Sequence, residues 1–391
     1  MQGANCVVSR GITGMFSKNS GIAAADLTSD DSQIKPDNIQ PPRLFELDLL
    51  KALSVIAMVF CHPVIRLGIH RAGYESDWQF FLGDVILGDY LGVAHAFMFA
   101  MGVGMVYSRK NAPADLMRRG VKIYLLGYVL NFCRYGVYAL AEGLISGVFE
   151  PETLEALFGP DILQFAGLAL FFTGVLKQLR LREGHMLVIG LALSVAGTAV
   201  PFIDTGSYAL NWLLGHLVYT TWDASCFVFC NWYIFVGAGL LFGAFLRRTE
   251  HRDRFYIWLV ITSGCAMAVY LSSTVKCGAL FLCRERVYYA VSTLEAAGLL
   301  SIDLFLLSVF HFLLRRIPVS RLRVFIEMSR NLTPIYLIHW CILGFIDSIF
   351  CYLMELSFSW LVIYGIGAAL LVLSGWSAKR WADRKQPAMC E

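Results

Sequence analysis

Apolar stretches about as long as a bilayer is thick recur along the whole chain. A helix needs about 20 mostly apolar residues to cross hydrocarbon. Ten segments qualify: 46–65, 88–108, 120–139, 161–177, 185–203, 226–246, 255–273, 287–313, 331–351 and 359–378. That repetition points to one class, an all-α polytopic membrane protein with about ten transmembrane helices around a central cavity. Composition agrees, with 57% of residues hydrophobic and 16% charged, against about 25% charged in globular domains. Trp78 to Leu87 is apolar but short, and is expected to lie in the interface or to re-enter. Residues 1–42 are polar and hold no apolar segment of a secretory signal. They are expected to form a disordered cytoplasmic tail, with 43–380 as the membrane domain and 381–391 as a second short tail.

With a cytoplasmic N-terminus, 25 of the 32 Lys and Arg fall on inside segments and 5 outside; Lys51 and Arg134 remain within spans. That excess follows the positive-inside rule and predicts a plasma (inner) membrane protein with both termini in the cytoplasm. A net charge of +3 is too small to suggest a nucleic-acid partner. Membrane lipids are the expected surroundings, and a homo-oligomer is compatible with the sequence. The eleven cysteines are scattered and show no metal-ligand spacing. Cys226 with Cys230, or Cys277 with Cys283, could pair, but free thiols packed as small apolar groups are the expectation.

The first apolar segment, ELDLLKALSVIAMVFCH (46–62), carries charge where lipid penalises it. Lys51 and His62 are eleven residues apart, so they lie within about 20° of one helix face and about 16 Å apart along it. Asp48 precedes Lys51 by three residues and can pair with it. An ionisable group at this depth must face a partner or a wet cavity, so the strip is expected to point into the bundle. A plainer reading is a packing strip, with a snorkelling ion pair and a hydrogen-bonded histidine. Pro63 disfavours the α conformation for His62, so the helix is expected to bend or end there.

Other polar residues interrupt the apolar segments. Asp84, Asp89, His95, Glu295, Asp303 and His339 are candidates to orient His62 from another helix; Asp48, about 21 Å away, is too far. Asn131, Arg134, Asp161, Gln164 and Asn231 could line a cavity. The outer segments 142–161 and 204–226 are long and hold acids and aromatics, among them Asn211, Trp212, His216, Tyr219, Trp222 and Asp223. They could bind a polar ligand or merely anchor helices. The glycines of GVGM (102–105) read as close helix packing.

Asp48, Lys51 and His62 form a D-x-x-R/K-x(10)-H pattern that resembles the first-helix signature of the integral-membrane acyltransferase-3 family. AHAFMFAMGVGMVYSR (94–109), MRRGVKI (117–123) and NLTPIYLIHW (331–340) resemble three further motifs of that family. GPDILQFAGLALFF (159–172) and FVFCNWYIFVGAGLLFG (227–243) resemble a sister group, the heparan-α-glucosaminide N-acetyltransferase-like membrane proteins. Both groups belong to one transmembrane acyltransferase superfamily with a ten-helix core, and the resemblance spans about 43–380. Lys51 and Lys122 stand where the first family has arginine, and the second group carries its histidine in the loop after helix one. Both branches therefore stay open.

The resemblance implies transfer of an acyl group, acetyl by default, from cytoplasmic acyl-CoA to a hydroxyl or amine of an extracytoplasmic acceptor such as a glycan. Acetyl-CoA would be a co-substrate, with no tightly bound cofactor and no metal. His62 is the expected catalytic residue, as a base or as a transient acyl carrier. Lys51, Arg118, Arg119 and Lys122 are the expected ligands of the acyl-CoA phosphates. Asp48, His339, Asp84, Asp89 and Glu295 are possible support. The rival reading is a proton-coupled secondary transporter or flippase, which would also need buried acids and histidines. A non-catalytic scaffold leaves the strip on the first helix without a purpose.

Overall fold

The computed structural model describes residues 43–385 except 92, 137–138, 141–142, 145–146, 149–150, 222–223 and 278–287. The expected N-terminal tail, the Cys277–Cys283 pairing, and Trp222 and Asp223 therefore lie outside the described residues in whole or part. Every regular element among the described residues is helical. In chain order these are α1 (Phe45–Leu67), α2 (Trp78–Phe81), α3 (Val93–Tyr107), α4 (Pro113–Asn131), α5 (Pro151–Phe158), α6 (Ile162–Gln178) and α7 (Glu183–Ala199). Then come α8 (Tyr208–Gly215), α9 (Phe229–Arg248), α10 (Arg252–Cys277), α11 (Thr293–Leu314), α12 (Arg323–Arg330), α13 (Leu332–Ile346) and α14 (Trp360–Lys385).

Among the described residues, eight helical stretches are long and apolar enough to cross a membrane. The two other expected spans are also helices at the expected places. At 17 residues α7 is short, and α4 carries Asp115, Arg118, Arg119 and Lys122 in its first half. Three boundaries differ from expectation. Trp78–Leu87 is no separate interfacial piece: α2, a π-helical segment Leu82–Tyr90 and α3 belong to one candidate span, Trp78–Tyr107. Pro63 sits inside α1, which continues to Leu67, so the helix does not end at His62. Proline removes one N–H from the ladder, but a helix already formed on both sides tolerates that loss in a packed bundle. At the other end, α14 continues past residue 380 to Lys385.

α1 is the hub. It packs against α3, α11, α12, α13, α14 and the Leu82–Tyr90 segment, and Leu50, Val55, Met58, Val59, Val64 and Leu67 are fully buried. In lipid, expulsion of water does not drive helices together, so close backbone approach and buried polar ties carry more of the work. Both are present. A Cβ on Gly120 would come 2.6 Å from the Gly167 carbonyl oxygen, and the reverse holds for Gly167. Those glycines let α4 and α6 touch along their length. Gly102 and Gly239 do the same for α3 and α9, as GVGM suggested. The Tyr256 hydroxyl on α10 donates to buried Glu46 at 3.0 Å. Buried His95 on α3 pairs with Asp303 on α11 at 2.9 Å. Cys226 and Cys230 are not joined to each other in a disulfide.

Candidate active site

One face of α1, bearing Lys51, Met58, Cys61, His62, Ile65 and Arg66, forms the wall of a cavity of about 1060 Å³. The cavity runs from Lys51 to Ile69, about 27 Å at the helical rise. Near the start of α1 it is bounded by Ser108, Arg119, Ser329 and Arg330; near its end, by Arg134, Tyr135, Asp161, Phe227 and Tyr289. His62 stands on the wall between.

The hydrogen bonds around His62 fix its tautomer. The Nδ1–H of His339 donates to the Ile335 carbonyl (2.9 Å), one turn back on α13. That leaves His339 Nε2 as an acceptor, and it lies 2.7 Å from His62 Nδ1. His62 must therefore carry its proton on Nδ1, which leaves a lone pair on Nε2. The two rings lie nearly parallel, 9° apart with centroids at 5.1 Å. The Trp340 ring packs on His62 at 4.2 Å, and the Arg134 guanidinium lies over that indole at 3.8 Å. Of the candidates to orient His62, His339 is the one in contact with it.

Arg134 is itself fixed. It pairs with Asp161 (2.5 Å) and donates to the Tyr135 hydroxyl (2.8 Å). Asp161 is the N-cap of α6, where its side chain accepts from the Ile162 N–H and its own N–H donates to Gln164. Thus the DILQ stretch starts a helix and anchors a cavity arginine with one carboxylate.

Lys51 lines the cavity but makes no hydrogen bond or ion pair among the described residues. The expected Asp48–Lys51 pair does not form. Asp48 takes the Arg43 guanidinium (2.5 Å) and the Ser329 hydroxyl (2.6 Å) instead, while the Lys51 side chain lines the cavity. Arg119 also lines it, but Arg118 and Lys122 are exposed and do not. The reason is helical phase: Arg119 and Ile123 share one stripe, and Arg118 and Lys122, one residue earlier on each turn, share its neighbour.

The remaining candidates divide cleanly. Asp84 and Asp89 reach the cavity from the π-helical segment. Asn131, Gln164 and Asn231 do not line it; they are ties within the bundle. Asn131 donates to the carbonyls of Leu157 and Gly159, Gln164 completes the α6 cap, and Asn231 donates to the Val291 carbonyl. Glu295 is buried in the first turn of α11, away from the cavity wall. His95 and Asp303 are committed to each other. Asn211, Trp212, His216 and Tyr219 do not line the cavity; His216 accepts from the Tyr124 hydroxyl at 3.0 Å. Burial pushes the His216 pKa down, consistent with a neutral acceptor there.

Sequence reasoning missed Arg66, Ser329, Arg330, Tyr336 and Trp340 as cavity residues. Two signals were available. Arg66 comes four residues after His62, on the same stripe, and Tyr336 and Trp340 are an i, i+4 pair flanking His339. Near the end of α1, His70, Asp347 and Cys351 bring ligand-type atoms within 4.8 Å of one another. Arg66 already holds that carboxylate at 2.6 Å, so the group is an ion-pair network.

A family model described as heparan-alpha-glucosaminide N-acetyltransferase, catalytic, matches residues 43–275. No curated protein matches the chain. The matched stretch holds α1, with His62, and the helices that supply Arg119, Arg134 and Asp161; His339 and Trp340 come from beyond it. The match selects the second of the two resembling groups and brings with it an acetyltransferase type of function. With more than half its length inside the match, the chain belongs to the heparan-alpha-glucosaminide N-acetyltransferase catalytic family.

Proposed function

We propose that this protein moves an acetyl group from acetyl-CoA to an amine or hydroxyl of a glycan-like acceptor on the far side of the membrane. In this reading both termini are cytoplasmic and the protein sits in the plasma (inner) membrane. The donor enters beside Lys51, Arg119 and Arg330, whose charges suit the CoA phosphates. The Lys51–His62 separation leaves room for the extended pantetheine arm, with the thioester beside the imidazole. The acceptor arrives from the Arg66 end. Asp84 and Asp89 would suit an acceptor carried as an ammonium.

His62 Nε2 removes the proton from the attacking hydroxyl or amine as its lone pair adds to the thioester carbonyl carbon. The carbonyl π electrons move onto oxygen. The tetrahedral intermediate then collapses, the C–S bond breaks, and the imidazolium returns its proton to the departing thiolate. His339 is a positioning residue: its acceptor nitrogen holds the His62 tautomer and steadies the imidazolium.

The observation that carries this reading is the directed chain from Ile335 through His339 to His62, ending on an Nε2 that, like Lys51 at the other end of the cavity, has no partner among the described residues. The test is free-CoA release by purified protein in detergent, given acetyl-CoA and a panel of amino sugars and neutral sugars. Acceptor-dependent release with an acetylated product supports the proposal. Solute movement across proteoliposomes without any transfer would replace it with the transporter reading.

A further inference from the structure

Three cations line the cavity near the start of α1, and they fall into two groups. Arg119 lies close enough to Lys51 for its charge to act on the ammonium. The other charges acting on Lys51 are those of Asp48 and Arg43, not that of Arg330. Arg330 is the last residue of α12; it lines the cavity and is exposed. Its neighbour Ser329 donates to Asp48 at 2.6 Å, which pins this end of α12 to the first turns of α1. Arg330 makes no hydrogen bond or ion pair among the described residues, because the nearby carboxylates are engaged elsewhere. Glu327, one turn back, takes Arg323 (3.1 Å) and Lys379 (2.9 Å), and Asp48 takes Arg43 and Ser329. A guanidinium that is anchored through its helix, open to solvent and without a carboxylate suits a phosphate, to which it can donate two parallel hydrogen bonds.

We propose that Arg330 binds the phosphate on the donor's ribose, and so selects coenzyme A thioesters over pantetheine thioesters that lack this group. This rests on the acyl-transfer reading above. In that reading the pantetheine arm fills the interval between His62 and Lys51. The phosphates at the head of the arm then meet Lys51 and Arg119. Those phosphates cannot tell CoA from dephospho-CoA, because both molecules carry them. The ribose phosphate lies beyond them, on the side away from the thioester. It therefore needs a cation apart from the Lys51–Arg119 pair, at the rim of the cavity and within reach of water. Arg118 and Lys122 are exposed but do not line the cavity. Arg330 meets each condition. No bond forms or breaks at this end, so the residue acts on the choice and binding of the donor and not on the acyl-transfer step.

The test compares acetyl-CoA with acetyl-dephospho-CoA, which lacks only the ribose phosphate. It uses purified full-length wild type, Arg330→Gln, Arg330→Lys and Arg119→Gln in detergent at one low ionic strength. Binding of CoA and of dephospho-CoA is read by calorimetry in parallel, so that recognition is measured apart from turnover. One charge-assisted contact at an exposed rim should give wild type a preference of about tenfold in kcat/KM for acetyl-CoA. Arg330→Gln should bring that preference below about threefold through a higher KM for acetyl-CoA, with kcat unchanged. Arg330→Lys should keep part of it, since the charge stays and the fork is lost. Arg119→Gln should weaken both donors alike. The wild-type comparison needs no substitution, so it decides even where a variant is unstable. Equal use of both donors by wild type, an Arg330→Gln loss shared by both, or a preference that disappears in Arg119→Gln instead would overturn the proposal. Failure of the acyl-transfer reading looks different: wild type would bind CoA more tightly than dephospho-CoA and yet release no thiol from either thioester with any acceptor.

Discussion

In the proposed mechanism three side chains on α1 and α13 have separate duties, and single substitutions should separate them. His62→Ala removes the bare nitrogen, and kcat is expected to fall by about 10²–10⁴-fold with the donor KM little changed. His339→Gln should be milder than His62→Ala, because an amide oxygen can still accept from Nδ1. His339→Phe should approach the alanine result; steady-state CoA release decides both. Lys51→Ala removes the unpaired charge at the donor end. A charge-assisted bond contributes about 1.5–3 kcal/mol, so the acetyl-CoA KM should rise about 10–100-fold while kcat holds. Arg118→Ala, one helical stripe away from the cavity, should change neither constant. The strip of Lys51 and His62 was legible in the sequence because helical phase is a local property. Asp48 was read as the partner of Lys51 because both lie on that strip. Its actual partners, Arg43 and Ser329, depend on how α1 begins and on where α12 packs.

Among the described residues, three π-helical segments, Leu82–Tyr90, Phe132–Gly136 and Asp347–Leu353, each carry charged residues of this region: Asp84 and Asp89, Arg134, and Asp347. A π turn shifts the helical phase of the residues after it, and such turns often mark working sites. Apolar periodicity does not reveal them, which is why Arg134 could be named from sequence but not aimed. Glycines make two opposite predictions. Gly104 lines the cavity and nothing lies within 4 Å of an added Cβ. Gly104→Trp should therefore fold and raise the donor KM by obstructing its path, read by CoA release. Gly120 meets the α6 backbone, so Gly120→Val should cost about 1–3 kcal/mol through overpacking, read as a lower melting temperature in detergent. At the edge of the bundle, Glu327 of α12 accepts from Lys379 of α14 (2.9 Å), and that bond, with Arg323, holds its carboxyl below the usual range. A lowered carboxyl pKa stabilises above the unfolded value of about 4.3. The contribution is lost as pH falls through the lowered folded value. Amide exchange in α12 should accelerate below about pH 4, and Glu327→Gln should give that faster exchange already at neutral pH.

The described helices form a bundle around α1, and its cavity is assembled from parts of the chain far apart in sequence. The hydrogen-bonded histidine pair makes the point: 277 residues separate His62 from His339. By itself the sequence determined the class, the approximate placement of the helices and the strip of α1 that carries Lys51 and His62 along the cavity. These rest on local quantities: the length of apolar runs, the turn of about 100° per residue, and the cost of charge in lipid. It also carried the two family resemblances, and the family match resolved which applies. Tertiary structure alone decided the partners. It set His339 against His62, gave Asp48 to Arg43, turned Asn131, Gln164 and Asn231 into ties, and brought Arg330 to the cavity that Lys51 lines. The reason is that hydrogen bonds between helices depend on crossing angles and glycine contacts, which no single segment encodes.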